Sequence, residues 1–317
     1  MVGGEKMKKE KSVQALKHRR TKRCRGDVIF DTVTFIILTV VLLIVAYPLY
    51  WVVISSISNP SAVSSGEVLW RPIGFTLKGY SEVFKNKAVM GGFMNSIIYT
   101  VCGVLVNLAV TLPTAYALSR NNFSGKKPVT IFYMITMFFG GGMIPTYLVV
   151  KNLHLLNTMW ALFLPGCLSV YNMIVARTFF QSNISEELYE AAEIDGCTQG
   201  KFFFKIALPL SKAIIAILVL YYGVGHWNSY FSALLYISDK ERYPLQLVLR
   251  NILITNEAAL SQSASTEAAR AALREKQQLM DVMKYSLMII SSIPMLAIYP
   301  FIQKHFVKGV MIGSIKG

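Results

Sequence analysis

Charged residues are scarce in this chain, and most of those present are basic. Only 15% of the 317 residues are charged, and 32 Lys and Arg stand against 17 Asp and Glu. Hydrophobic residues make up 54% of the sequence, whereas a soluble domain carries about 45–50% apolar and about 25% charged residues. This composition argues against an ordinary soluble globular domain and is typical of a protein embedded in a membrane.

Signatures of catalysis, nucleotide binding and metal binding are also missing. The sequence contains no GxxxxGK[ST] phosphate loop, no GxSxG and no HExxH. Its four cysteines show no CxxC spacing and its four histidines are dispersed, so neither a disulfide framework nor a zinc site is implied. We therefore expect this chain to be no enzyme and to bind no metal or cofactor, so that any ATP it uses must be bound by a partner.

Six long apolar runs dominate what the sequence does contain. They lie at about 28–57, 88–118, 128–150, 159–180, 210–236 and 281–302, and each can supply the roughly 20 residues of a membrane-spanning helix. Period-two alternation is absent, which favours helices over barrel strands. The first run exceeds the h-region of a signal peptide, about 7–15 residues, and no cleavage site closes it. The sequence predicts an all-α membrane protein with six transmembrane helices.

The distribution of basic residues predicts the orientation of these helices. Residues 1–27 carry ten Lys and Arg, whereas the first predicted outer loop has four against two acids and the last has six against five. By the positive-inside rule both termini lie in the cytoplasm. Three parts follow: a cytoplasmic basic arm (1–27), a transmembrane domain (28–302) and a cytoplasmic tail (303–317). We expect the arm to lie near anionic lipid headgroups and not on nucleic acid, because no nucleic-acid-reading motif accompanies it.

Acidic residues are almost absent from the predicted spans. Only Asp31 and Asp281 lie in or beside them, each near one end. Ion-coupled transporters usually place ionisable groups near the middle of the membrane. This pattern argues against a secondary transporter and is neutral for a transporter driven by ATP.

The predicted cytoplasmic loop 181–209 is polar and acidic and follows the pattern E-A-A-x-x-x-G-x9-I-x-L-P from Glu190 to Pro209. Ser185 is placed to cap a first helix, and Gly196 to end it in the left-handed conformation. Thr198 is placed to cap a second short helix, and Pro209 suits the first turn of the fifth span. Taken singly, these are surface acids, a stop glycine and a start proline. Together they predict two short helices that form a docking surface.

This loop resembles the EAA loop of the permease subunits of bacterial ABC importers. The tail Gln303–Gly317 resembles the ending of carbohydrate-importer permeases of the maltose-permease-like type, and Phe138–Pro145 resembles a branch that handles complex oligosaccharides or polysaccharide fragments. The resemblance covers nearly the whole chain from about residue 28. It implies the type I ABC importer permease fold, in a multi-pass protein of the bacterial cytoplasmic membrane.

The resemblance also implies partners and a coupling site. The expected partners are a second homologous permease subunit, two ATP-binding subunits that hold ATP and Mg, and an extracytoplasmic solute-binding protein that delivers an oligosaccharide. In such importers the EAA loop docks in a cleft of the ATPase, where Glu190 is expected to pair with a basic residue. The residues expected to couple the two subunits are Glu190, Ala191, Ala192, Gly196, Ile206, Leu208 and Pro209.

Sugars are held by aromatic faces and by amide or hydroxyl groups, which selects candidates along the substrate path. These are Tyr133, Asn172, Trp227, Asn228 and Tyr230, of which Trp227 and Tyr230 fall on one helical stripe. An interfacial aromatic belt or bonding between helices explains the same residues equally simply. Gly140, Gly141, Gly142 and Pro145 are expected to bend the third span, either as a gate or hinge or for close helix packing.

Three alternatives stay open at this stage. The permease carries a different solute, such as a peptide or amino acid; or the chain is a secondary transporter or channel; or it is a structural membrane scaffold. The outer loop 237–280 is also open to two interpretations, because its Ala, Ser, Glu and Gln residues suit either an external helix that contacts a binding protein or a mobile segment.

Overall fold

The computed structural model describes residues 25–259 and 267–314, with side chains described for residues 25–254 and 277–300. Most of the predicted basic arm and the last three residues of the tail therefore lie outside the described part of the chain. Within the described part all regular structure is helical, as the sequence predicted. The helices are α1 (Arg25–Ser56), α2 (Pro60–Ser64), α3 (Lys78–Lys85), α4 (Lys87–Ser119), α5 (Lys126–Phe138), α6 (Met143–Asn152), α7 (Trp160–Phe163), α8 (Val170–Asn183), α9 (Glu186–Ile194), α10 (Gln199–Phe202), α11 (Leu208–Leu210), α12 (Lys212–Trp227), α13 (Phe231–Tyr236), α14 (Leu245–Ala259) and α15 (Glu267–Ser314), with a π-helical turn at Phe203–Ala207 and a 3-10 turn at Lys240–Arg242.

By length and composition, the described helices provide three to five membrane spans where the sequence predicted six. Helices α1 and α4 and the segment Gln277–Pro300 of α15 are each long and apolar enough alone. Two bent pairs raise the number to five: α5 with α6, bent by 114°, and Gln199–Leu210 with α12, bent by 81°. The predicted fourth span is divided between α7 and α8 by six non-helical residues, 164–169. Pro165 offers no backbone N–H there and Gly166 has φ +138°, which no helix accommodates.

The described residues fall into two compact units, one ending at Trp51 and the other beginning at Val52. The described part of the first unit is the bulk of α1, and its apolar side chains are exposed, with Phe30 and Phe35 each 70% accessible. A continuous apolar surface of this length is stable against lipid and unstable against water. The sequence-based prediction of an apolar spanning helix therefore agrees with the form of α1.

The second unit is built around α4, which packs against α8, α12 and α14. The core between α4, α8 and α12 contains small and medium side chains that are fully buried, namely Ala115, Met173, Ala176, Ala207 and Leu218. Small residues let helices approach closely, and dispersion contacts at such interfaces replace the hydrophobic drive that lipid removes. The helices α9 and α10 of the predicted cytoplasmic loop join the same core through Tyr189 and Phe202.

The segment that follows α13 is tied back onto α4 by polar contacts. The Asn95 amide donates hydrogen bonds to the carbonyls of Glu241 and Tyr243, at 2.7 and 3.1 Å. The backbone N–H of Leu245 donates to Ser96 Oγ at 2.8 Å. The region predicted as the outer loop 237–280 thus includes α14 and the first turns of α15, with residues 260–266 outside the described part. Helix α15 extends beyond the predicted span 281–302 at both ends.

Candidate functional site

The acidic loop forms the first short helix that the sequence predicted. Ser185 Oγ accepts a hydrogen bond from the Leu188 N–H at 3.3 Å and so caps α9. At the other end Gly196 has φ +74°. Its N–H donates to the Glu193 carbonyl and the Cys197 N–H donates to the Ala192 carbonyl, both at 2.9 Å. These are the two bonds of a Schellman motif, which closes the helix and fixes the direction of the turn.

The second half of the loop departs from the prediction at its end. Thr198 Oγ1 accepts from the Lys201 N–H at 3.4 Å and starts α10, as expected. The chain then passes through the π-helical turn into α11, which contains Pro209, and bends by 81° at Ser211 before α12. Pro209 therefore lies before the bend and does not open the fifth span. It has no N–H to donate, and the π-helical turn ahead of it already breaks the regular ladder of α-helical bonds.

The two faces of α9 have different environments. Tyr189 and Ala192 are buried against the core of the membrane helices. Glu190, Ala191 and Ile194 lie on the opposite side and are exposed, Ile194 at 87%. Of the large apolar side chains on α9, that of Ile194 is the most exposed.

The predicted coupling residues are therefore divided between two surfaces. Glu190, Ala191, Gly196 and Pro209 are exposed. The remaining three, Ala192, Ile206 and Leu208, contact the core formed with α4, α8 and α12. Their expected part in coupling to a partner stays a prediction. Their apolar side chains join the loop to its own membrane helices.

A polar contact also joins α9 to the end of α4. The Arg120 guanidinium donates from Nη2 to Glu186 Oε1 at 2.9 Å and lies 4.1 Å from the centroid of the Tyr189 ring. The Tyr116 ring, one turn earlier, packs against Phe180 and Phe203 with centroids 5.7 and 5.0 Å apart. Sequence reasoning missed this contact, because Arg120 and Glu186 are 66 residues apart and neither has a local signal.

Sequence reasoning also missed Ile194 as a candidate contact residue, although a signal for it exists. Ile194 is placed at helical spacing from Glu190 and Ala191 and on the side opposite Tyr189 and Ala192. A helical wheel of α9 drawn from the caps would therefore have placed an isoleucine on the polar face.

A second feature is a cavity of about 530 Å³ between α4, the non-helical turn 164–169, α8 and the end of α12. Three of the predicted substrate-path residues line it: Asn172, Asn228 and Tyr230. Its other polar lining residues are Asn107, Ser169, Tyr221, Tyr222, His226, Ser229 and Ser232. No Asp, Glu, Lys or Arg occurs among the described residues that line this cavity. Neutral hydroxyl, amide and aromatic groups of this kind suit a polyhydroxylated ligand.

The other two substrate-path candidates lie elsewhere. Trp227 is 2% exposed, its Nε1–H donates to the Ser291 carbonyl at 2.9 Å, and its ring meets the Phe93 ring edge-on. Because α12 ends at Trp227, the expected helical stripe from Trp227 to Tyr230 does not form. Tyr133 packs against the shared core. Neither residue is among those that line the cavity, and their expected contact with sugar stays a prediction.

The glycine run breaks the third span at the expected place. Residues Phe139–Gly142 separate α5 from α6, Gly142 has φ +88°, and Pro145 lies in the first turn of α6. A Cβ atom built on Gly140 or Gly141 would meet no described atom within 4 Å. Close packing against a neighbouring helix within this chain therefore does not explain these two glycines, and only Gly142 has a backbone conformation that favours glycine.

Comparison with known proteins places these features in context. The profile of the family described as "Binding-protein-dependent transport system inner membrane component" matches residues 20–312. Protein LplC of Bacillus subtilis (strain 168) is 39% identical over 289 residues, which cover 91% of this chain and 95% of LplC. The polygalacturonan/rhamnogalacturonan transport system permease protein YtcP of the same organism is 38% identical over 289 residues, covering 91% and 99%.

One solved structure is similar along nearly its whole length. It is a chain of a bacterial ABC transporter involved in the import of the acidic polysaccharide alginate. The two chains superpose with a TM-score of 0.80 at 30% sequence identity, covering 90% of this chain and 99% of the other.

Proposed function

The chain belongs to the family of binding-protein-dependent transport system inner membrane components, and from this premise we propose that it is the permease component of an ABC importer for oligosaccharides. The observation that carries the proposal is the match over about nine-tenths of the chain with a permease of a polygalacturonan/rhamnogalacturonan transport system and with a chain of an ABC transporter involved in alginate import. The subunit is not itself an enzyme. It works in the cell membrane with a binding protein and with an ATPase that hydrolyses ATP.

We propose six spans with both termini in the cytoplasm. The count treats α5 with α6, α7 with α8, and α12 with α13 as three broken crossings beside α1, α4 and α15. The ten basic residues among residues 1–27 support this orientation. It places α9 and α10 on the cytoplasmic side and the cavity lined by Asn228 and Tyr230 towards the outer side.

We propose that the exposed face of α9 docks in the ATPase. Glu190 supplies a carboxylate for a basic partner, Ala191 allows close backbone approach, and Ile194 buries its side chain in the cleft. The buried face of α9, the Arg120–Glu186 ion pair and the Schellman turn make this helix a rigid extension of α4. Movement of the ATPase is thereby passed to the membrane helices and not absorbed within the loop.

We propose that the cavity forms one wall of the sugar path, with a second, homologous permease supplying the opposite wall. Asn172, Asn228 and Tyr230 present amide and hydroxyl groups that can meet sugar hydroxyls. The bend at Phe139–Gly142 is the proposed gate or hinge, because its glycines leave the backbone free to change direction.

Purification of the chain from its native membrane in mild detergent tests the coupling proposal. The wild-type chain is expected to bring down a P-loop ATPase and a second six-span protein, and the variant with Glu190→Ala and Gly196→Pro is expected to lose the ATPase alone. Glu193→Ala removes the same charge from the flank of α9 and serves as the matched control. Equal ATPase recovery with all three chains would contradict docking through this face.

Uptake into proteoliposomes that contain the assembled transporter tests the solute. Radiolabelled trigalacturonate, supplied with the binding protein and internal ATP, is the probe, with a labelled tripeptide for comparison. Accumulation of the sugar alone supports the carbohydrate proposal, and accumulation of the peptide alone supports the importer of a different solute. Accumulation without ATP would favour a secondary transporter.

A further inference from the structure

We propose that Asn107 and His226 are positioning residues that hold the non-helical turn 164–169 and so set the shape of the cavity wall that carries Ser169 and Asn172. The effect of this device on the turn is independent of what the cavity binds. Its effect on transport rests on the oligosaccharide importer function proposed above.

The turn exposes backbone groups that no helix satisfies. Pro165 carries no N–H and Gly166 adopts φ +138°, so the carbonyls of Gly166 and Cys167 lie outside the helical ladder. Asn107, only 2% exposed, reaches them from α4. Its Nδ2 donates to the Cys167 carbonyl at 2.8 Å and to the Gly166 carbonyl at 3.3 Å. Carbonyls left unpaired among membrane helices would be costly, because neither lipid nor an apolar core replaces their hydrogen bonds.

These two bonds determine which way the Asn107 amide points. The NH2 group must face the two carbonyls, since an oxygen there would be repelled by both. The Oδ1 atom is thereby turned to His226, whose Nε2 lies 2.6 Å away. An amide oxygen only accepts, so Nε2 of His226 carries the proton. A chain of hydrogen bonds therefore runs from His226 on α12 through Asn107 on α4 to the carbonyls of the turn.

The imidazole ring is itself closely held. A Cβ atom on Gly103 would lie 2.5 Å from His226 Nε2, so only a glycine leaves room for the ring beside α4. The edge of the ring meets the Phe163 ring at the end of α7, with centroids 6.0 Å apart. His226 thus has one position from which its Nε2–H can reach Asn107.

The far end of the turn is anchored to the same two helices. The Ser169 N–H donates to Tyr222 Oη at 3.2 Å, and Tyr222 Oη also shares a hydrogen bond with Thr111 Oγ1 at 2.7 Å. Ser169 in turn caps α8, because its Oγ accepts from the Asn172 N–H at 3.4 Å. Hydrogen bonds therefore hold both ends of the turn to α4 and α12. The positions of these two helices fix the positions of Ser169 and Asn172.

Native Cys167 provides a measurement that needs no substrate. In the assembled transporter, with Cys24, Cys102 and Cys197 changed to alanine, the rate of maleimide labelling of Cys167 reports how firmly the turn is held. Asn107→Ala and His226→Phe are expected to raise this rate about fivefold, the factor set by losing one net hydrogen bond. His226→Gln restores a donor near Nε2 and is expected to return the rate towards wild type.

Thr114→Ala is the matched control, because Thr114 lies two turns from Asn107 on α4 and donates only to the Val110 carbonyl of its own helix. Labelling of Cys167 should match wild type in this variant. Rates unaffected by Asn107→Ala and His226→Phe would overturn the proposal, as would equal rises in all variants including Thr114→Ala.

Uptake of radiolabelled trigalacturonate by the same variants measures the consequence for transport. Asn107→Ala and His226→Phe are expected to raise KM severalfold with a smaller change in maximal rate, and His226→Gln to recover most of the wild-type KM. A faster rate of Cys167 labelling with an unchanged KM would overturn the role of Asn107 and His226 in shaping the wall of the sugar path. Lack of uptake by the wild type would count against the proposed substrate alone, because the labelling result still decides whether Asn107 and His226 hold the turn.

Discussion

Gly196 occupies a conformation that a side chain resists, with φ +74°, and it closes α9 through a Schellman motif. Gly200 lies four residues later in α10, and a Cβ atom there would meet no described atom within 4 Å. The two glycines therefore have different physical roles within one loop. Gly196 sets the direction of the chain between two helices, whereas Gly200 is an ordinary helix residue with a weak propensity.

Gly196→Ala is expected to weaken the closing turn by about 1–2 kcal/mol, because an L-residue resists the left-handed region. Gly200→Ala is expected to strengthen α10 by roughly 0.5–1 kcal/mol. Sugar-stimulated ATP hydrolysis by the assembled transporter is the measurement, and only the first variant should reduce it. Equal activities would show that the turn does not carry motion between the subunits.

Ile194 is the other single residue with a clear expectation. Ile194→Ser should reduce ATPase binding by about tenfold or more, because burying an Ile side chain contributes about 1.5–3 kcal/mol. The thermal stability of the chain should stay nearly unchanged, since the side chain is 87% exposed in the unpartnered subunit. Titration of the ATPase onto the detergent-solubilised permease gives the affinity, and a loss of thermal stability instead would make Ile194 a folding residue.

At the scale of elements, the notable feature is how many predicted spans are interrupted. The third run is bent at Phe139–Gly142, the fourth is divided at residues 164–169, and the fifth is divided at residues 228–230, between α12 and α13. Interrupted helices in membranes need other partners for their backbone groups. The turn at 164–169 obtains them from Asn107 and Tyr222, which is why this interruption forms a cavity wall.

The bend in the third span gives a prediction based on adjacent glycines. Gly142→Ala is expected to reduce transport severalfold, because φ +88° strains any residue with a Cβ. Gly141→Ala adds the same methyl group one residue earlier, where φ is not in the left-handed region and space is open, and should transport normally. Sugar uptake at saturating concentration measures both variants. Equal losses of uptake would indicate that added side-chain volume impairs transport and that the backbone conformation of Gly142 does not.

At the scale of the whole molecule, the proposed topology can be tested by finding which loops lie on which side of the membrane. Native Cys197 lies between α9 and α10, and Ser238 is exposed in the segment that follows α13. Six spans with cytoplasmic termini put these two positions on opposite sides of the membrane. The same arrangement presents the exposed face of α9 to a cytoplasmic partner.

A membrane-impermeant maleimide tests this arrangement in whole cells. With the other cysteines replaced, Ser238→Cys is expected to react in intact cells, and Cys197 only after the cells are permeabilised. Differences in expression between the two variants cancel when the labelling of each is normalised to its own total after permeabilisation. Labelling of Cys197 from outside would reverse the proposed orientation.

The sequence by itself determined the class of the protein and, in the acidic loop, the two helix starts and the turn between them. Long apolar runs are read directly from composition, and the caps at Ser185 and Thr198 and the turn at Gly196 depend on residues within a few positions of each other. Tertiary structure alone decided which face of α9 is open, that Ala192, Ile206 and Leu208 face inward, and that Trp227 bonds α15. It also brought Asn107 to the carbonyls of a turn 59 and 60 residues away. Such contacts depend on the packing of separate helices, and no local spacing encodes them.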